Sequence, residues 1–278
     1  MIMGIPKLPL GEGVEWLEDW LTANFKPLFD AIRAVIGSMV ESLETGLTAV
    51  PALIMIVLLT GLTWYVAKWR IGVFALIGLY LIENLGLWEQ SMQTLALVLT
   101  ASILSIIIGV PLGIASARST LLRNVVTPVL DFMQTMPAFV YLLPAVSFFR
   151  LGVVPGIIAS IIFAVPPTIR LTNLGIRQVP EELVEAADAF GSTPTQKLVK
   201  LQLPMAMPTI MAGINQTIML SLSMVVFASM IGAQGVGALV YRAVTQVKTG
   251  VGFEAGIAIV IMAILLDRLT QNAFKKNK

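Results

Sequence analysis

Long uncharged runs dominate the chain. Residues 45–67 hold 23 consecutive positions without Asp, Glu, Lys or Arg; residues 90–117 hold 28, residues 132–149 hold 18 and residues 151–169 hold 19. A hydrocarbon layer of about 30 Å takes roughly 20 helical residues, so each run predicts a membrane-spanning helix. Residues 201–241 are uncharged for 41 positions. Their Gly-rich end, IGAQGVGALVY, predicts a span over 209–231 followed by a flexible loop. Two weaker spans, 70–88 with Glu83 near one end and 252–269 with Glu254 and Asp267 at its edges, bring the expectation to seven.

Ahead of these spans the period changes. In FKPLFDAIRAVIGSMVESLETGL, Leu28, Ile32, Val35, Met39, Leu43 and Leu47 recur every three or four residues, with Asp30, Arg33, Glu41 and Glu44 mainly opposite. That is an amphipathic helix, expected to lie on the outer surface or brace the bundle. Trp16, Leu17, Trp20 and Leu21 form a shorter stripe with an acidic reverse side, also interfacial.

Composition agrees: 57% hydrophobic and 12% charged residues lie far from the roughly 45–50% and 25% of soluble domains. A net charge of +2 gives no reason to expect a nucleic-acid partner, and no run of four or more Lys/Arg marks a lipid-headgroup site. The chain has no Cys and no His, which removes disulfides, thiolate and imidazole catalysis and the usual zinc ligands. The opening MIMGIPKLPL has neither a signal-peptide pattern nor a lipidation Cys, so insertion is expected to rely on internal spans. No G-x-x-x-x-G-K-[ST] is present, so ATP chemistry would belong to another subunit. With seven spans, twelve of the 18 Lys/Arg fall on the side of the carboxyl-terminal tail and six on the other. That bias predicts an outside amino terminus and a cytoplasmic carboxyl terminus.

One stretch between spans looks soluble: PEELVEAADAFGSTPTQKLVKLQLP, residues 180–204. Pro180 and the acids Glu181 and Glu182 suit a helix amino terminus, and Gly191 suits its end. Thr193 caps a second helix with Pro194 in its first turn, and Pro204 is expected to end it. Leu183, Ala187 and Phe190 share a face on which Leu198 and Leu201 can pack, with the acids pointing away. By these signals alone the stretch is a solvated helical hairpin. The spacing says more. Glu185-Ala186-Ala187, three residues, Gly191, nine residues and Leu201-x-Leu203-Pro204 resemble the EAA loop of ABC-importer permeases.

The likeness extends over essentially the whole chain. LDFMQTMPAFVYLLP, VPPTIRLTNLGIRQVP, AGINQTIMLSLSMVVFASMIGAQGVG and LLDRLTQ resemble the permease of glycine betaine/proline betaine importers. Arg150 and Gln234 depart from it, standing where small residues, often glycine, are expected. The resemblance implies an all-α polytopic fold, the transmembrane domain of a type I ABC importer. Residues 1–49 would form an extracytoplasmic tail, 50–270 the permease domain with its coupling loop at 171–208, and 271–278 a cytoplasmic basic tail. In the loop, Glu185, Ala186, Ala187, Gly191, Ser192, Leu201, Leu203 and Pro204 would seat in a groove of an ATPase subunit.

The resemblance further implies partners: an ATPase dimer that holds ATP and Mg, an extracytoplasmic binding protein, a second copy of this chain, membrane lipid and a small zwitterionic solute such as glycine betaine. No cofactor is expected in this chain itself, and the location implied is the bacterial cytoplasmic membrane.

Inside the spans Gln134, Asn215, Gln216, Ser221 and Ser223 are candidates for a polar translocation path, with Asp131 near the cytoplasmic start of its span; the alternative is that they hydrogen-bond helices together. The five Trp, at 16, 20, 64, 69 and 88, fit an interfacial belt better than an aromatic cage. Gly109 and Gly113 suggest either a small-x-x-x-small contact or, with Pro111, a kink. The same machine for choline, carnitine or methionine is the nearest alternative. An ion-coupled transporter would need acids inside the spans, and a structural or sensory protein leaves the EAA spacing without a reason.

Overall fold

The computed structural model describes residues 9–273, and every regular element among them is helical. In chain order these are α1 (Leu10–Thr48), α2 (Ala52–Ala67), α3 (Trp69–Asn84), α4 (Trp88–Arg118), α5 (Thr120–Thr135), α6 (Leu142–Phe149), α7 (Val153–Arg177), α8 (Glu181–Ala189), α9 (Pro194–Lys197), α10 (Leu203–Ser229), α11 (Val236–Thr245) and α12 (Thr249–Ala273). A 3₁₀ turn, Ala138–Tyr141, precedes α6, and a π turn, Leu198–Gln202, joins α9 to α10.

The centre is α7, packed between α4 and α10. Lipid is as apolar as leucine, so close backbone approach rather than water exclusion decides which faces meet. Gly109 and Gly113 supply it. A β-carbon on Gly109 would stand 2.8 Å from Thr168 Cγ2, and one on Gly113 would stand 2.6 Å from Thr172 Cβ. The small-x-x-x-small alternative is therefore the one realised, and α4 runs helical through Pro111. On the other side of α7, Pro166 and Pro167 each lack a helical donor. There the Thr217 hydroxyl of α10 donates to the Ala164 carbonyl at 2.7 Å and lies 2.7 Å from the Thr168 hydroxyl.

The seven expected spans are not all straight helices. By length and composition four helices among the described residues can cross a membrane: α4, α7, the continuous Pro194–Ser229 rod containing α10, and α12. The count reaches six if two bent pairs each form one span. The expected span at 45–67 is broken, because α1 ends at Thr48 and the chain bends 102° before α2 starts after Pro51. The span expected at 132–149 is bent for a related reason. Met136 precedes Pro137 and is driven to extended backbone, φ −69 and ψ 140, so α5 and the 3₁₀–α6 segment diverge by 108°. Helices α2 and α3 are 16 residues each, about 24 Å, and form a hairpin against α12.

Two other expectations change. In α1 the buried line is Ile36 and Val40, with Phe29 and Ile32 packed beside them, whereas Leu28 and Val35 of the expected stripe are exposed. Phe29 stacks on Phe148 at 4.7 Å and meets Phe149 edge-on at 5.6 Å, which rotates the inward face by about one position. The glycines of IGAQGVG are not a flexible loop. The Val236 N–H donates to the Thr94 hydroxyl at 2.9 Å, Gly235 abuts Thr94, Gly237 abuts the Val225 carbonyl, and α11 follows at once.

Candidate functional site

The hairpin between α7 and α10 is built by local rules. Pro180 stands just before α8, and the Glu181 and Glu182 carboxylates lie in its first turn, where the helix dipole favours them. The exit is a Schellman closure: Ser192 N–H donates to the Ala187 carbonyl at 3.0 Å and Gly191 N–H to the Asp188 carbonyl at 2.9 Å. Gly191 takes φ +75, with nothing within 4 Å of where a β-carbon would sit. Thr193 and Gln196 then form a capping box, the Gln196 N–H donating to Thr193 Oγ1 at 3.3 Å and the Thr193 N–H to Gln196 Oε1 at 2.9 Å.

The apolar seam expected within the hairpin does not form. Leu183 is exposed and Phe190 is 91% exposed, and α8 has no buried residue. Leu198 packs instead with Ile176, Ala206 and Ile210 of α7 and α10, joined by partly buried Leu203. Nor do all the acids point away, since Lys197 Nζ donates to both Asp188 carboxylate oxygens at 2.7 Å and ties α8 to α9. Glu185 and Ala186 are exposed and Ala187, Ser192 and Leu201 are partly buried, so the outward surface presents Phe190 amid small and acidic residues.

Pro204 does not stop the second helix. The Leu203 N–H reaches back five residues to the Leu198 carbonyl. That π turn widens the helix where proline has no donor and its ring would press on the residue four back. The helix from Pro194 to Ser229 is thus continuous for 36 residues, about 54 Å at 1.5 Å per residue. One rod connects the exposed hairpin with the packed membrane core.

The path candidates divide into two groups. Asn215 donates to the Asp267 carboxylate of α12 at 2.8 Å, and Ser221 is fully buried, so both lie in helix contacts. Gln134, Gln216 and Ser223 are exposed. Gln216 and Ser223 share a face of α10 with Met205, Pro208, Ala212 and Met219, all exposed and spaced by three or four residues, and exposed Met230 continues it just past the helix end. Nothing else in the described residues covers that face. Asp131 accepts from Arg170 Nη2 at 2.5 Å, a tie between α5 and α7. None of the five tryptophans pairs with another, and no three Asp or Glu side chains converge among the described residues.

Residues 109–274 match the family described as binding-protein-dependent transport system inner membrane component. The chain belongs to that family. The permease is 55% identical over 274 residues to the glycine betaine transport system permease protein OpuAB of Bacillus subtilis, covering 99% of this chain and 97% of that protein. It is 57% identical over 278 residues to the glycine betaine/carnitine transport permease protein GbuB of Listeria monocytogenes, covering 99% and 98%. It is 48% identical over 264 residues to the glycine betaine/proline betaine permease ProW of Escherichia coli, covering 95% and 75%.

In fold, the permease is similar to a chain of the inward-facing MetNI methionine ABC transporter, with a TM-score of 0.63, 21% identity and coverage of 69% of this chain and 96% of that one. The expected all-α fold of a type I importer permease therefore holds, in a multi-pass membrane protein. The family match begins within α4, so α1 to α3 are shared with the betaine-permease relatives but lie outside the matched segment.

Proposed function

We propose that this permease is the membrane subunit of an ATP-driven importer for glycine betaine or a related small quaternary-ammonium zwitterion. The observation that carries the reading is identity of 55% and 57% across 99% of the chain to permeases named for glycine betaine transport. ATP and Mg bind to a separate ATPase pair, and solute arrives from an extracytoplasmic binding protein. The amino terminus lies outside and the hairpin and carboxyl terminus in the cytoplasm.

Two copies of the chain meet across the exposed α10 face, where Gln216 and Ser223 offer neutral polar groups between methionines. A zwitterion has no net charge to neutralise, and such a lining passes it without a buried counter-ion. The hairpin seats in the ATPase with Phe190 as its apolar anchor, and the rod carries that motion into the α7–α10 core.

The test is uptake in vesicles that hold the reconstituted assembly. Betaine should enter only with ATP inside and binding protein outside, and excess methionine should not compete. Uptake driven by an ion gradient without ATP would overturn the reading. Carnitine competing as well as betaine would widen the solute class, as the Listeria relative's name suggests.

A further inference from the structure

No linear cluster of basic residues marks a headgroup site in this sequence, yet the fold assembles one. A cleft of about 400 Å³ opens where the ends of α4 and α7 meet the hairpin, and Arg118, Arg177 and Lys197 line it with a single acid, Glu181. Lys197 is engaged by Asp188. Arg118 and Arg177 have no ion-pair or hydrogen-bond partner among the described residues.

Both are exposed and each ends a helix long enough to cross a membrane, the position at which arginine meets lipid headgroups. Ile176 and Val179 are buried beneath them.

We propose that this cleft binds a phosphate-bearing anion, the two unpaired guanidinium groups acting as forked donors to its oxygens. The chemistry is shared by an anionic lipid headgroup and by free phosphate, and the place of both arginines at the ends of membrane-length helices favours the lipid. Because Glu181 of α8 and Pro194 of α9 belong to the same walls, the occupant joins the hairpin to the membrane helices.

The full chain, assembled with its ATPase, is placed in nanodiscs of mixed phosphatidylglycerol and phosphatidylcholine, and the lipids it retains are weighed by native mass spectrometry. A basic residue near an anionic surface contributes a factor of about five, so Arg118→Gln and Arg177→Gln should each weaken phosphatidylglycerol retention about fivefold and the pair roughly thirtyfold. Arg123→Gln, on α5 and outside the cleft, should leave retention unchanged, and Arg118→Lys with Arg177→Lys, which keeps the charge but loses the forks, should restore only part of it.

In phosphatidylcholine alone, a thermal shift with inorganic phosphate that the double glutamine variant loses assigns the site to free phosphate and supports the same chemistry. Native-like retention in the double variant, with no phosphate-dependent shift in either protein, overturns the proposal. So does unchanged retention with loss of the ATPase subunit, because the arginines would then serve protein contact. Neither readout involves transport, so failure here leaves the importer reading standing.

Discussion

At Gly191 and at Arg150 the backbone turns with the same sign, φ +75 and φ +62, at opposite ends of the bundle on either side of α7. One position is glycine, with open space around it; the other keeps a long cationic side chain at φ 62 and ψ 176, a region that otherwise belongs to glycine. The hairpin turn asks only for backbone freedom, and its Schellman bonds close it without tertiary help. The turn before α7 holds Arg150 in strain of about 1–3 kcal/mol, sustained by neighbours such as the Gly152 N–H to Ile231 carbonyl bond at 2.9 Å. Lys68 and Val247 also keep side chains at positive φ, 79 and 55. At Arg150 the side chain is retained against strain, on the face where a binding protein would dock.

The largest expected effect comes from exchanging those solutions at the hairpin. Gly191→Val places a β-branched residue in left-handed backbone, costing about 1–2 kcal/mol. It should insert normally yet lose nearly all solute-stimulated ATP hydrolysis. Because no atom crowds the site, Gly191→Asn, which tolerates that backbone, should keep most of the activity; equal loss in both would show that bulk rather than strain matters. Next comes Phe190→Ala. An aromatic ring buried on docking contributes about 1.5–3 kcal/mol, so ATPase affinity, measured by titration of detergent-solubilised permease, should fall about tenfold or more while the permease itself stays as stable.

At the Arg150 turn, Arg150→Gly relieves strain and should add about 1 kcal/mol of stability after the entropy cost of glycine, read as a higher thermal midpoint, while weakening association with the binding protein. Higher stability without that weakening would mean the arginine is only tolerated. The smallest effect belongs to the core. Asn215→Ala removes the tie to Asp267, a hydrogen bond worth about 0.6 kcal/mol in such helices, and should lower the midpoint slightly with little change in transport rate; Gln216→Ala should do the reverse.

The same contrast explains what was legible in the sequence. Pro180, Gly191 and the Thr193–Gln196 box act through neighbours a few residues away, so their spacing alone yields the hairpin. Phe190 stands exposed because periodicity identifies a shared face but not what covers it, and Leu198 packs with Ile176 and Ala206 instead. The bends at Pro51 and Pro137 were lost inside uncharged runs, since hydropathy does not register a proline that redirects the chain. The α11 helix was hidden by glycines that serve close approach to Thr94 and Val225 rather than flexibility. The basic cleft joins residues from three separate segments and so has no local signature, and periodicity alone does not say which face of α10 stays uncovered.

As proposed, the 180–204 hairpin is the surface through which ATP hydrolysis reaches the membrane core. The chain has no native cysteine, so Ser192→Cys gives one thiol at the turn itself. Paired with single cysteines along the groove of the ATPase subunit, it should form a cross-link whose yield changes between ATP-bound and nucleotide-free states and collapses when Gly191→Val is added. Absence of any cross-link in every nucleotide state, in an assembly that still transports, would contradict the account.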